Sequence, residues 1–386
     1  MVIKGAFTYT KDHRFERKEI ITNDMVIAGV CEPGAEKSFM SGNASDDENV
    51  LDATGLYAIP GLVDIHFHGA MGHDFCDADP EGLAAIARYE AENGVLSICP
   101  ATMTFSEEIL AKIMENAAAF SPDQDMAELV GINMEGPFIS PEKIGAQNPK
   151  YLMKPDVSMF RRLQAKANGL IRLVDIAPEL PGSMEFINDL AEDVNISIAH
   201  TACDYDEAME AFSYGARHVT HLFNAMPGLG HRDPGPIRAA MEKDAEVEII
   251  ADGVHIHPAM VRMAFESFSE DKVILIADSM EATGLPDGEY QLGGQKVSVC
   301  GKKAVLSEHP DTIAGSASNL FDCMKTAISM GIKKEMAIRA ASENPAKAIG
   351  MGDRLGKISE GYMANMILLD KEFNIKHVVN RGKIIK

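Results

Sequence analysis

The sequence predicts an α/β fold: a (β/α)8 TIM barrel with a small β-sandwich domain formed from both chain termini. Three observations predict it. First, eight short apolar runs recur through the middle of the chain, at 58–65, 95–100, 129–134, 171–176, 195–199, 217–221, 247–251 and 273–277, most of them followed by an amphipathic helical stretch. Continuous apolar runs of this length read as parallel strands covered on both faces. Second, both ends of the chain are short β-like pieces without such helices, as a sheet assembled from the two termini requires. Third, no Gly-x-Gly-x-x-Gly turn follows the first run, which weakens the open, doubly wound alternative.

Residues 1–54 form the N-terminal part of the small domain, with Met25–Val30 as one strand and 37–49 as a polar loop. Residues 55–356 form the barrel. Its first helix has legible ends: Asp79 as cap, Pro80 in the first turn, Asn93-Gly94 as terminator. The stretch 285–313 breaks the alternation, and 289–299 within it reads as an inserted β-hairpin. Residues 357–386 return to strand-like runs at 366–370 and 377–385 and complete the small domain.

A chain of 386 residues fits one large domain and one small one. Its net charge of -22 argues against nucleic acid and against anionic membranes. A small anionic substrate stays compatible, because a few local cations dominate a pocket. The six cysteines are scattered without Cys-x-x-Cys spacing, as free thiols in a reducing cytoplasm would be. An apolar leader and an 18-residue apolar run are both missing, so neither a signal peptide nor a membrane span is expected.

The chemistry is carried by what ends each run. His66 and His68 close the first. Residues i and i+2 of a strand point the same way, so the two imidazoles stand side by side, as a metal ion requires. Glu135 ends the third run, His200 the fifth, His221 the sixth, Asp252 the seventh with His255 close behind, and Asp278 the eighth. In a barrel these positions converge on one mouth. Histidine and carboxylate ligands without thiolate suit zinc, iron(II) or manganese, and their number allows one ion or two with Glu135 bridging.

Plainer readings exist: a capped strand end for His66 and His68, a turn cap for Glu135, a core histidine for His200. His218 and His221 face opposite ways, so His221, at the strand end, is the ligand and His218 structural. His73 and His231 lie in glycine-rich loops within possible reach of a substrate; His13, His309 and His377 are expected at the surface, and Cys76 and Cys203 in packing. A metal with an open position lowers the pKa of bound water to about 7. Asp278 beside it can act as base and then acid, which describes hydrolysis of an amide or related C–N bond.

The set Asp64-x-His66-x-His68, Glu135-Gly136-Pro137-Phe138, His200, His221 and Asp278 resembles the amidohydrolase superfamily. Many members bridge their metals with a carbamylated lysine, where this chain has Glu135. More narrowly, Thr220–Pro227 (Thr-His-Leu-Phe-Asn-Ala-Met-Pro), Ile250–His255, Ile313–Ser316 and Asn344–Lys347 resemble the N-acetylglucosamine-6-phosphate deacetylase family. The resemblance implies that Glu135, His200 and His221 hold the main metal, with His66 and His68 available for a second, and that Asp278 is the catalytic base and acid. It implies a sugar-phosphate pocket drawn from Ala146, Gln147, Asn224, Ala225, Asp252, Gly253, Val254, His255, Ile313, Ala314 and Gly315. Arg232 would bind the phosphate of a neighbouring subunit's substrate, which implies a homodimer. Gln147 departs from the family, which often carries histidine there; the second metal would then take over part of the carbonyl polarisation. The alternatives are another N-acyl amino-sugar or N-acyl amino-acid hydrolase and, outside the enzymes, a catalytically silent scaffold of the same fold.

Overall fold

The computed structural model describes residues 1–35 and 50–386, so the polar loop expected over 37–49 lies outside the described residues. The chain has an α/β architecture built on parallel strands. In order they are strand one (Leu62–Asp64), strand two (Val95–Ile98), strand three (broken into Glu128–Leu129 and Ile132–Met134), strand four (Ile171–Ile176), strand five (Asn195–Ile198), strand six (His218–Val219), strand seven (Glu246–Ile250) and strand eight (Val273–Ile276). They pair in sequence order as a three-stranded run and a six-stranded run. A parallel bridge between Ala101 and Asn133 links the two. Past strand eight, the Asp278 N–H donates to His66 O at 2.8 Å and the His68 N–H to Ser279 O at 2.7 Å.

Strand eight is apolar without interruption and covered on both faces: all four residues of Val273–Ile276 are buried. Helices follow where a cap residue precedes an amphipathic stretch. Asp79 accepts from the N–H groups of Glu81 and Gly82 at 3.1 Å each, opening the helix Pro80–Glu92. Asp204 and Glu207 form a reciprocal capping box on Tyr205–Tyr214, which Gly215 ends with φ of 117°.

The apolar run 58–65 divides in two. Tyr57–Pro60 joins the terminal sheet, and only Leu62–Asp64 joins the parallel sheet. Gly61 marks the crossing because a Cβ there would lie 2.8 Å from Leu96 Cδ1. The terminal sheet mixes strands from both ends of the chain, 366–369 pairing with 57–60 and 7–9 pairing with 57–60 from the other side. A second sheet, of residues 2–4, 19–23, 26–31 and 50–52, shares a buried cluster with it that includes Ile3, Ile20, Ala58, Met366 and Leu368. The hairpin expected at 289–299 is there as Gly288–Leu292 paired with Gln295–Cys300, and it extends into a four-stranded antiparallel sheet through Lys303–Leu306 and His309–Ile313. No helix among the described residues is long and apolar enough to cross a membrane, and none of the six cysteines is disulfide-bonded.

His13 is not the free surface histidine that the sequence suggested. Its Nε2 lies 2.7 Å from Glu343 Oε2, joining the terminal sheets to the helix Glu343–Ala348. Lys347 and Lys357 reach the other carboxylate oxygen at 2.7 and 3.3 Å. Burial pushes the Glu343 carboxyl up, but Lys347, His13 and Lys357 outweigh it and hold it at about 2. A depressed carboxyl pKa adds stability above its unfolded value, and that stability is lost as the pH falls toward the folded one. Glu343→Gln is therefore expected to cost on the order of 2 kcal/mol near neutral pH. Urea unfolding of parent and variant should show the difference shrinking between about pH 4.5 and pH 2.

Candidate active site

Several of the residues that end the strands have left the extended conformation. His200, His221 and Asp278 directly follow strands or lie within two residues of one, and adopt φ of 41°, 33° and 47°. This left-handed geometry costs a non-glycine residue about 1–3 kcal/mol and persists where its surroundings enforce it. Here it turns the imidazoles of His200 and His221 onto one carboxylate, Glu135, and the Asp278 carboxylate toward His68.

Glu135 is buried and meets four imidazoles, two at each oxygen. Its Oε1 lies 2.9 Å from His200 Nε2 and 3.3 Å from His221 Nε2. Its Oε2 lies 3.3 Å from His68 Nε2 and 3.6 Å from His66 Nε2. Asp278 Oδ1 completes the group, 3.3 Å from His68 Nε2 and 3.8 Å from His66 Nε2. The structure thus brings together the six distant residues singled out in the sequence. Burial pushes the Glu135 carboxyl up, but His66, His200 and His221 outweigh it and hold it well below the usual range. Asp278 is likewise raised by burial and lowered more strongly by His68 and His66, so it stays ionised.

The donor set fits a divalent cation. His200 Nδ1 lies 2.9 Å from the Lys143 carbonyl, which only accepts, so the proton sits on Nδ1 and the Nε2 lone pair faces Glu135. His66 Nδ1 lies 2.9 Å from Glu248 Oε2, and its Nε2 has no hydrogen-bond partner; neither has Glu135 Oε2. Buried lone pairs aimed at a carboxylate need a positive charge between them. Two sets of ligand atoms, His66–His68–Glu135 and Glu135–His200–His221, each lie within 4.8 Å of one another.

A cavity of about 390 Å³ opens over this centre. His68, Ala146, Gln147, Asn224, Ala225, His255, Asp278, Ile313 and Gly315 line it. Gly145 lets the loop approach closely, since a Cβ there would lie 3.2 Å from His200 Cε1. Gln147 Oε1 accepts the Thr104 N–H at 2.7 Å, which leaves its Nε2 as the free donor. Asp252 stands behind the wall: its Oδ2 holds His255 Nδ1 at 2.9 Å and its Oδ1 accepts the Val254 and His255 N–H groups. Gly253, Val254 and Ala314 do not line the cavity, nor do His73 and His231. Arg232 is exposed and lines a separate cavity with Cys203 and Pro227.

Sequence reasoning missed Met103, Phe223, Leu292, Asp311 and Thr312 in the wall. Leu292, Asp311 and Thr312 come from the inserted sheet, which no local pattern aims at the site. It also missed Glu248, although a charged residue inside the apolar run Val247–Ile250 was a readable signal.

A family profile for the amidohydrolase family matches residues 57–385. The chain belongs to the amidohydrolase family. The N-acetylglucosamine-6-phosphate deacetylase of Bacillus subtilis is 33% identical over 400 residues, covering 100% of this chain and 96% of the relative. An N-acetylgalactosamine-6-phosphate deacetylase of Escherichia coli is 30% identical over 84% of this chain and 86% of the relative. Among solved structures, the N-acetyl-D-glucosamine-6-phosphate deacetylase of Mycobacterium smegmatis matches with a TM-score of 0.89 at 28% identity, over 100% of both chains.

A group that binds the folded chain alone raises its unfolding temperature. Adding zinc to chelator-treated protein is expected to raise the midpoint by several degrees, and His200→Ala should remove most of that rise in a thermal-shift titration.

Proposed function

We propose that this chain is a metal-dependent hydrolase that removes the acetyl group of N-acetylglucosamine 6-phosphate, giving glucosamine 6-phosphate and acetate. The observation that carries the reading is Glu135 held between two pairs of imidazoles, with ionised Asp278 at the mouth of the same cavity. Glu135, His200 and His221 would hold the main ion and His66 and His68 a second; zinc, iron(II) and manganese all suit them. Bound there, the metal acidifies water and polarises the amide carbonyl.

The protein's own groups do the rest. Asp278 takes the proton of the attacking water and delivers it to the departing nitrogen. Gln147, its Oε1 held by Thr104, donates Nε2–H to the acyl oxygen. His255, held by Asp252, and the backbone at Asn224–Ala225 bind the sugar phosphate, with the Ile313–Gly315 turn beside them. Burial lowers and Asp252 raises the His255 pKa, with the carboxylate prevailing, which favours the charged imidazole that a phosphate needs. Arg232, too exposed to serve its own cavity, serves that of a second copy in a homodimer, its guanidinium matching phosphate geometry.

The parallel strands close into a (β/α)8 barrel over 55–356, a reading that the Asp278–His66 and His68–Ser279 backbone bonds support. The described residues within 1–54, together with 357–386, form one small sandwich domain. Six thiols without a disulfide support a reducing, cytoplasmic setting.

Acetate release should be measured on N-acetylglucosamine 6-phosphate, its galactosamine epimer and unphosphorylated N-acetylglucosamine. The 6-phosphate is expected to raise kcat/KM by about 10–100-fold, the worth of one charge-assisted hydrogen bond or so. Equal rates with and without it would remove the phosphate assignment. A faster reaction of the epimer would move the chain to the galactosamine branch of its relatives. Asp278→Asn should keep its metal content and lose about 10²–10⁴ in kcat. An unimpaired rate there would end the general-base role.

A further inference from the structure

Beneath the metal centre lies a fully buried carboxylate that the proposed reaction leaves without a task. Glu248 sits inside strand seven with its side chain wholly covered. Its Oε2 accepts two hydrogen bonds, from His66 Nδ1 at 2.9 Å and from the His221 backbone N–H at 3.1 Å. These are one residue from each half of the candidate metal site. The other oxygen, Oε1, lies 3.7 Å from His218 Nε2 and has no hydrogen-bond partner.

From His218 a hydrogen-bonded chain continues through the buried layer. Its Nδ1 meets Ser197 Oγ at 2.9 Å, Ser197 Oγ meets Thr220 Oγ1 at 2.6 Å, and Thr220 donates to Asp175 Oδ1 at 2.8 Å. Strands four, five, six and seven thus each contribute a polar group to one buried layer. A charged residue in the middle of an apolar strand is retained at a desolvation cost, so its contacts identify its use.

We propose that Glu248 is a positioning residue shared by both halves of the metal site. It accepts the Nδ1 proton of His66 and so fixes the tautomer whose Nε2 lone pair faces Glu135. By the same oxygen it anchors the backbone of His221 in its left-handed turn (φ 33°). A carboxylate behind a ligating imidazole also raises that ligand's basicity, and removing such a partner typically weakens metal binding about 10–100-fold. The inference rests on the metal-site reading above, and the experiment separates the two.

Zinc affinity is measured by competition with a coloured chelator on the full chain, for the parent, for Glu248→Gln and for Glu248→Asp. Glutamine keeps the shape and removes the charge; aspartate keeps the charge and draws the oxygen back from both donors. Each variant is expected to lose about 10–100-fold in zinc affinity. Its kcat should fall at limiting zinc and recover with excess zinc, while KM moves little. That rescue distinguishes positioning of a ligand from general damage to the fold. Zinc affinity within about twofold of the parent in a folded variant would overturn the role, as would a loss of kcat that excess zinc leaves in place. A parent chain that binds no zinc would instead refute the metal site itself.

Discussion

The structure depends on one electrostatic constraint: a buried carboxylate surrounded by imidazoles. Glu135 is out of water, and each of its oxygens faces two Nε2 atoms. At least two of those rings are held by their Nδ1 atoms, His200 by the Lys143 carbonyl and His66 by Glu248, so that lone pairs point inward. Such a group is stable only with positive charge at its centre, because isolated buried charges cost several kcal/mol each. The left-handed residues at the strand ends, the close approach at Gly145 and the buried layer beneath all serve to hold this arrangement. None of them has an apolar rationale.

The polar layer shows how the fold meets that demand. Ordinary strand interiors carry apolar side chains on both faces when helices and neighbouring strands cover them. Strands four to seven break that rule on adjacent strands, with Asp175, Ser197, Thr220 with His218, and Glu248. Hydrogen bonds within the layer offset part of its desolvation, and the links through Glu248 to His66 and His221 give it a direction. Stability is thus spent on orientation. Packing strength comes from elsewhere, from the continuous cluster between strands and helices that includes Ile98, Val174, Ile198 and Leu275.

Much of the fold and the site was legible because the chain announces them locally. An apolar run followed at once by a histidine or carboxylate needs no partner to be recognised, and this holds for His66, Glu135, His200 and Asp278. Helix ends were legible for the same reason, as at Asp79 and Asn93-Gly94. What stayed hidden depends on distant contacts. Nothing near Gly61 says that its preceding residues pair with Met366–Leu369 at the far end of the chain. Nothing near His13 names Glu343, and nothing in 285–313 says that Leu292 and Thr312 reach the cavity. Glu248 is the instructive exception: its charge inside Val247–Ile250 is a local anomaly, but it lies within the strand rather than at its end.

The strongly acidic chain and its proposed anionic substrate are compatible because the two charges act at different ranges. The long-range field of a net charge of -22 is screened by salt beyond about 8 Å at physiological ionic strength. Inside the cavity the balance is set by neighbours at contact distance. His255 is nearly buried and bonded to Asp252, so its positive form is sustained without solvent. Asp252 is itself screened from a ligand, because its oxygens are taken by His255 and by the backbone N–H groups of Val254 and His255. A carboxylate turned away and an imidazole turned inward form a dipole whose positive end faces the cavity. A buried acid also stands behind His66, but there Glu248 holds the Nδ1 side of the ring and turns the Nε2 lone pair inward, toward a cation rather than an anion. A buried acid behind a histidine thus serves two ends in an acidic protein: behind His255 it sustains a positive charge, and behind His66 it fixes which ring nitrogen faces Glu135.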